Sequence, residues 1–236
     1  MTSSLNFFSR DQHSPFASLT RILSEFQANL HVMLPCKVKQ VNREKGLVSV
    51  TPQIQYVDPT GKGYSRGTYH NLPILSLGGG GFSLNFPIAV GDLGWILACD
   101  RDVHAFLKDK TEGPPPTYRK HSFASALFVP DMFNQVKLQA DSTNGVVLQK
   151  TDGSTRIVVK DGNITLVTSG DTHIKADKGV TIDANVQING TLHVTKDAQI
   201  DGSVSASKDV KAGSISLTSH VHGGVQSGSG TTGQPR

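Results

Sequence analysis

Val180-Thr181-Ile182-Asp183-Ala184-Asn185-Val186-Gln187-Ile188-Asn189-Gly190-Thr191-Leu192-His193-Val194 is the stretch from which the fold is read. Aliphatic residues stand at i and i+2, and the pair returns every six residues: Val180/Ile182, Val186/Ile188, Leu192/Val194, Ala198/Ile200, Val204/Ala206 and Val210/Ala212. Side chains at i and i+2 of an extended segment share a face, so each hexad reads as a three-residue strand with two inward members, then a turn such as Asn189-Gly190 or Asp201-Gly202. A unit this short cannot bury its own apolar face, and a fixed short period therefore predicts a solenoid-like architecture. One aliphatic residue per hexad would suit a single chain coiling on itself, as in hexapeptide-repeat acyltransferases. Two per hexad suit three chains winding around one axis, each burying its pairs against the other two. The inward residues also shrink along the chain, Ala206 and Ala212 standing where Ile182 and Ile188 stand earlier, which predicts a tapering rod.

Ile215 and Leu217 continue the apolar pattern one residue out of register, up to Ser219-His220-Val221-His222-Gly223-Gly224. In extended chain His220 and His222 share a face while Val221 points away. Two imidazoles are too few for a closed metal site, but three chains meeting there would supply an octahedral set. His220 and His222 are therefore the candidate metal ligands, and oligomerisation is part of their chemistry. The other histidines, such as His104 and His121, have no paired spacing and are read as structural.

Upstream of the repeat, Ser14-Pro15-Phe16 reads as a helix start, Ser as N-cap and Pro at the first position. Phe16, Leu19, Leu23, Phe26, Leu30 and Met33 then form one stripe. Fewer than three heptads do not by themselves establish a coiled coil. This helix is expected to pack against the next domain, with docking onto a partner as the alternative. From Leu34 the apolar period becomes two, with strands around Cys36/Val38, Val48/Val50, Ile54/Tyr56, Trp95 to Cys99 and Ala124 to Val129. Short strands with long polar or Gly-rich connections point to a small antiparallel barrel of the OB type. Tyr56, Tyr64 and Tyr69 near Lys62 and Arg66 raise single-stranded nucleic acid as an alternative ligand, although none is expected. The glycines at 78 to 81 are not a phosphate loop, since no Gly-Lys-Ser/Thr follows.

Composition agrees. Of 236 residues 36% are hydrophobic and only 6% aromatic, thin for one large self-contained core, and aromatics end at Phe133. The net charge of +4 is spread along the chain and announces neither a nucleic-acid nor a membrane surface. No apolar run is long enough to span a bilayer, and Met1 to Arg10 lacks the character of a secretory signal, so synthesis in a cytoplasm is expected. Cys36 and Cys99 lie in apolar strands and are read as buried thiols without a role.

The ending from Ser219 to Val225 and on to Pro235 resembles the apex of the central spike proteins of contractile-tailed bacteriophages, the baseplate assembly protein V and related membrane-piercing spikes. The barrel segment is similar too: Leu72-Pro73-Ile74 through Gly78 to Phe82, Phe86-Pro87, Val90-Gly91-Asp92, Asp100-Arg101-Asp102, and Arg119 to Ser122 leading to Ala126 to Pro130. The resemblance implies an all-β homotrimer: a helical segment over 1–33, an OB barrel over 34–130, an intertwined triple-stranded β-helix over 131–218 and an apex over 219–236. It implies one iron ion per trimer held by His220 and His222 of all three chains, imidazole also suiting zinc, nickel and copper. A baseplate hub protein above the barrel ring and transient contact with the host outer membrane are the implied partners, the host cytoplasm the implied place of synthesis, and the virion tail the implied location. The expected function is mechanical piercing on sheath contraction, without enzymatic activity. The alternatives are the spike of a phage-derived bacteriocin or secretion apparatus and, from another class, a hexapeptide-repeat acyltransferase.

Overall fold

A computed structural model describes residues 14–58, 60–221, 224, 226, 228 and 229. The chain divides into two compact units, Met1–His173 and Ile174–Arg236.

The first unit opens with α1 (Pro15–Asn29), which starts where the sequence predicts: the Ser14 hydroxyl accepts from the Ala17 amide at 3.1 Å and Pro15 takes the first position. The expected packing of this helix on the barrel is not found. α1 buries no residue, because the barrel fills its core from its own strands.

Eight short strands follow in chain order before α2: β1 (Met33–Asn42), β2 (Leu47–Pro52), the hairpin β3 (Tyr56–Val57) and β4 (Gly63–Tyr64), β5 (Tyr69–Pro73), the hairpin β6 (Leu77–Gly79) and β7 (Phe82–Leu84), and β8 (Leu93–Arg101), with β9 (Lys120–Pro130) beyond α2 (His104–Asp109) and β10 (Val146–Gln149) beyond that. The main sheet has the order β5-β2-β1-β8-β9, all antiparallel. It curls until β5 meets β9: Ile74 and Phe128 form a parallel bridge and the Leu75 amide donates to the Phe128 carbonyl at 2.8 Å. Five strands closed nearly into a barrel in this way are OB-like. Register shifts between Val38 and Gln40, Val48 and Val50, and Ala98 and Cys99 supply the bends that closure needs.

Inward positions of alternating strands fill the barrel: Cys36, Val38, Val48, Val50, Ile96 and Phe128 are fully or almost fully buried. Burial pushes the Cys36 thiol up to about 12, so it is an inert packing group. Ile54 stays outside the strands because β2 ends at Pro52. Gly94, on β8, has the Phe128 ring and the Val129 carbonyl pressed where a side chain would begin, and the carbonyl cannot move without breaking β8–β9 pairing. Gly94→Ala is therefore expected to destabilise the barrel by roughly 1–3 kcal/mol, read as a lowered denaturant midpoint with the slope unchanged.

The long connection between β8 and β9 is pinned by one buried carboxylate. Asp102 accepts from the His104 amide at 3.1 Å, lies 2.5 Å from His104 Nδ1, and accepts from the Thr117 hydroxyl at 2.7 Å. Burial alone would raise its pKa, but the bonds from Thr117 and His104 outweigh it and hold the carboxyl well below the usual range. Beyond the barrel, β10 pairs with β11 (Arg156–Lys160) and β11 with β12 (Asn163–Val167), an antiparallel meander with Val158 buried. The Trp95 indole donates to Asp131 at 2.6 Å and packs on Phe133, so the chain leaves the barrel held by its single tryptophan.

The second unit is built differently. Residues 174–210 form no strand, and among the described residues none of 174–209 makes a backbone–backbone hydrogen bond. The backbone runs extended and bends at 177–178, 184, 189–190, 195–196, 201–202 and 207–208, about once per hexad. Its large aliphatic residues from Val180 to Leu217 are 43–68% exposed. One chain by itself bends in step with the hexads but forms none of the predicted three-residue strands, and it leaves its aliphatic residues exposed and its peptide groups without backbone partners.

Candidate metal centre at the chain end

The out-of-register step before the histidines has a local cause. β13 (Lys211–Ala212) and β14 (Ile215–Ser216) form a hairpin, pairing Lys211 with Ser216 and Ala212 with Ile215 across the two-residue turn Gly213-Ser214. Gly213 has φ +64°, a conformation that favours glycine at the first central position of such a turn. The Leu217 amide returns to the Val210 carbonyl at 3.0 Å. Asp209 braces the hairpin, accepting from the Thr218 amide at 3.4 Å. Its bond from Ser216, with that from Thr218, outweighs burial and holds its carboxyl below the usual range.

This hairpin sets the chemistry of His220. The Ser216 carbonyl accepts from the His220 backbone amide at 3.0 Å and lies 2.9 Å from His220 Nδ1. A carbonyl only accepts, and it has two lone pairs, so both bonds form when Nδ1 carries the ring proton. In the neutral ring the lone pair then resides on Nε2, the atom that ligates a transition metal, and the Nδ1 bond is the kind of outer support that fixes a ligating histidine. The exposed His220 ring therefore fits a metal-ligand role. His222 lies outside the described residues. Among the described residues no group of three or more His, Cys, Asp or Glu could hold a metal within one chain. The sequence pattern missed the Ser216 carbonyl and the Asp209 brace; the one-residue slip at Gly213-Ser214 was their only trace.

The nucleic-acid alternative loses part of its platform. Tyr69 packs edge-on against Phe123 inside the barrel, leaving Tyr56 and Tyr64, paired across β3 and β4 with Lys62 over the Tyr64 ring at 5.2 Å. No helix among the described residues is long and apolar enough to cross a membrane.

Comparison with known families adds two matches, one on each side of the repeat. Residues 34–131 match the N-terminal domain of phage protein Gp138, and residues 214–236 match the GpV apex motif. Together they match a phage baseplate central spike protein. Among curated proteins none matches the chain. The Gp138 match spans the whole OB-like barrel, and the apex match begins in the Gly213-Ser214 turn and runs through His220 and His222. Both matches are to structural spike families of phage tails, which points to a structural protein rather than an enzyme and counts against the acyltransferase alternative.

Proposed function

We propose that this spike is a homotrimeric needle, tipped by one metal ion and driven through the host outer membrane when the tail sheath contracts. Residues 34–130 form the barrel ring seated under a hub protein, 131–218 the shaft, and 219–236 the apex. The observation that carries this reading is the second unit's two unmet needs, exposed aliphatic pairs once per hexad and peptide groups without backbone partners over 174–209. Extended backbone satisfies its N–H and C=O groups with neighbouring strands, and the only identical strands at hand belong to other copies. Burying about a dozen aliphatic side chains per chain, at roughly 1.5–3 kcal/mol for each large one, contributes tens of kcal/mol per trimer before conformational entropy is subtracted. None of that is available to a monomer, so folding of the shaft and assembly are one equilibrium.

At the apex, three copies of His220 and His222 would hold the ion through imidazole nitrogens, and a bound ion would cross-link chain ends that otherwise fray. Iron is the metal expected from the likeness of the chain end to spike apices. Piercing then depends on stiffness and a narrow tip, with no bond in the target made or broken. Native mass spectrometry combined with elemental analysis of the purified full chain tests the proposal. The expected particle contains three chains and about one transition-metal ion; a stable monomer would overturn it.

A further inference from the structure

We propose that α1 is a second trimerisation element, and that the α1 helices of three copies of this chain pack as a parallel three-helix bundle. The inference rests on the trimer proposed above. Phe16, Leu19, Leu23, Phe26 and Leu30 are spaced three, four, three and four apart, the a and d positions of a heptad seam. The seam is open: Phe16 is 78% exposed, Leu23 53% and Phe26 63%, and the helix buries no residue. Ile22, at a g position, is exposed beside it and widens the apolar strip toward what a bundle of more than two helices covers.

Charge identifies the occupant. In a parallel homo-oligomer, residues flanking the seam meet their counterparts from another copy, so charges of one sign at e and g oppose association. Here those positions are Thr20 and Gln27 at e, and Pro15, Ile22 and Asn29 at g, all uncharged. The only charged residues of α1, Arg21 and Glu25, lie away from the seam and pair with each other at 3.6 Å. A foreign protein would be selected through complementary charge on those flanks, and α1 offers none. The helix has 15 residues, marginal alone in water, but three copies tethered to one shaft meet at a high effective concentration.

Cysteine cross-linking in the full-length chain tests this, with native mass measured on the same samples. Leu23→Cys places a thiol in the seam, whereas Ser24→Cys places one outside it; the unsubstituted chain, with Cys36 and Cys99, sets the background. Neither substitution touches the barrel core. Mild oxidation of Leu23→Cys is expected to convert most chains to disulfide-linked dimers, severalfold above Ser24→Cys. A trimeric mass with no excess cross-link in Leu23→Cys overturns the α1 bundle and leaves the shaft standing, α1 then seating on another protein. A monomeric mass overturns the proposed trimer and this inference with it.

Discussion

Replacing Ile182 and Ile188 together with aspartate is expected to release the spike as a monomer. Both residues are inward members of consecutive hexads, and both are more than half exposed in the single chain. The substitution therefore costs an isolated chain little. In the needle it would place carboxylates from three chains around one axis, where each ion removed from water costs several kcal/mol unless paired, and where the neighbouring copies bring only like charge. The apolar contribution of each isoleucine, about 1.5–3 kcal/mol, is lost as well. Multi-angle light scattering should report a mass falling about threefold. The barrel should persist, because its core lies in the other unit, and the fluorescence of Trp95, held by Asp131 and Phe133, reports on it. The outward control is Gln187→Asp, between Val186 and Ile188, which should leave the mass unchanged. A trimer that survives the double aspartate even when Leu23→Asp also breaks the α1 seam would mean that the hexads do not face one another.

The second large effect concerns the tip. His220→Ala with His222→Ala is expected to reduce bound metal from about one ion per three chains to none, while the trimer remains, since the aliphatic hexads of the shaft are untouched. Elemental analysis and native mass of the same preparation separate the two results. His220→Ala alone should lose most of the ion, because half of the imidazole set goes with it. The β13–β14 hairpin should survive either change: the Leu217–Val210 bond and the Asp209 brace do not involve the rings. Proteolysis confined to residues beyond Thr218 would then mark the loss of the cross-link. Full metal content in the double variant would place the ion elsewhere.

The helix start, the barrel strands and the hexad pairs were all legible because each is a local pattern. Ser14-Pro15 caps α1 through atoms three residues apart, and alternation along β1, β2, β8 and β9 separates core from solvent within each strand. The six-residue period told its story more plainly still, since it recurs without interruption and the backbone bends in step with it. At α1 the apolar stripe left packing on the barrel and docking onto a partner both open, and the helix buries none of its residues on the barrel. Spacing reveals that a helix has a face to bury; it does not reveal against what.

What the sequence by itself determined is periodicity: a capped helix with a heptad seam, alternating strands, and paired aliphatics too closely repeated for one chain to bury. Only the tertiary structure decided that β5 closes on β9 through Ile74 and Phe128, that Gly94 must lack a side chain, and that the Ser216 carbonyl turns His220 so that Nε2 carries the lone pair. The physical reason is range. Propensity and patterning act between residues a few positions apart, whereas barrel closure and close approach depend on atoms that meet only after the chain has turned back on itself; the His220 tautomer is set within four residues, but by a backbone carbonyl that no side-chain pattern displays.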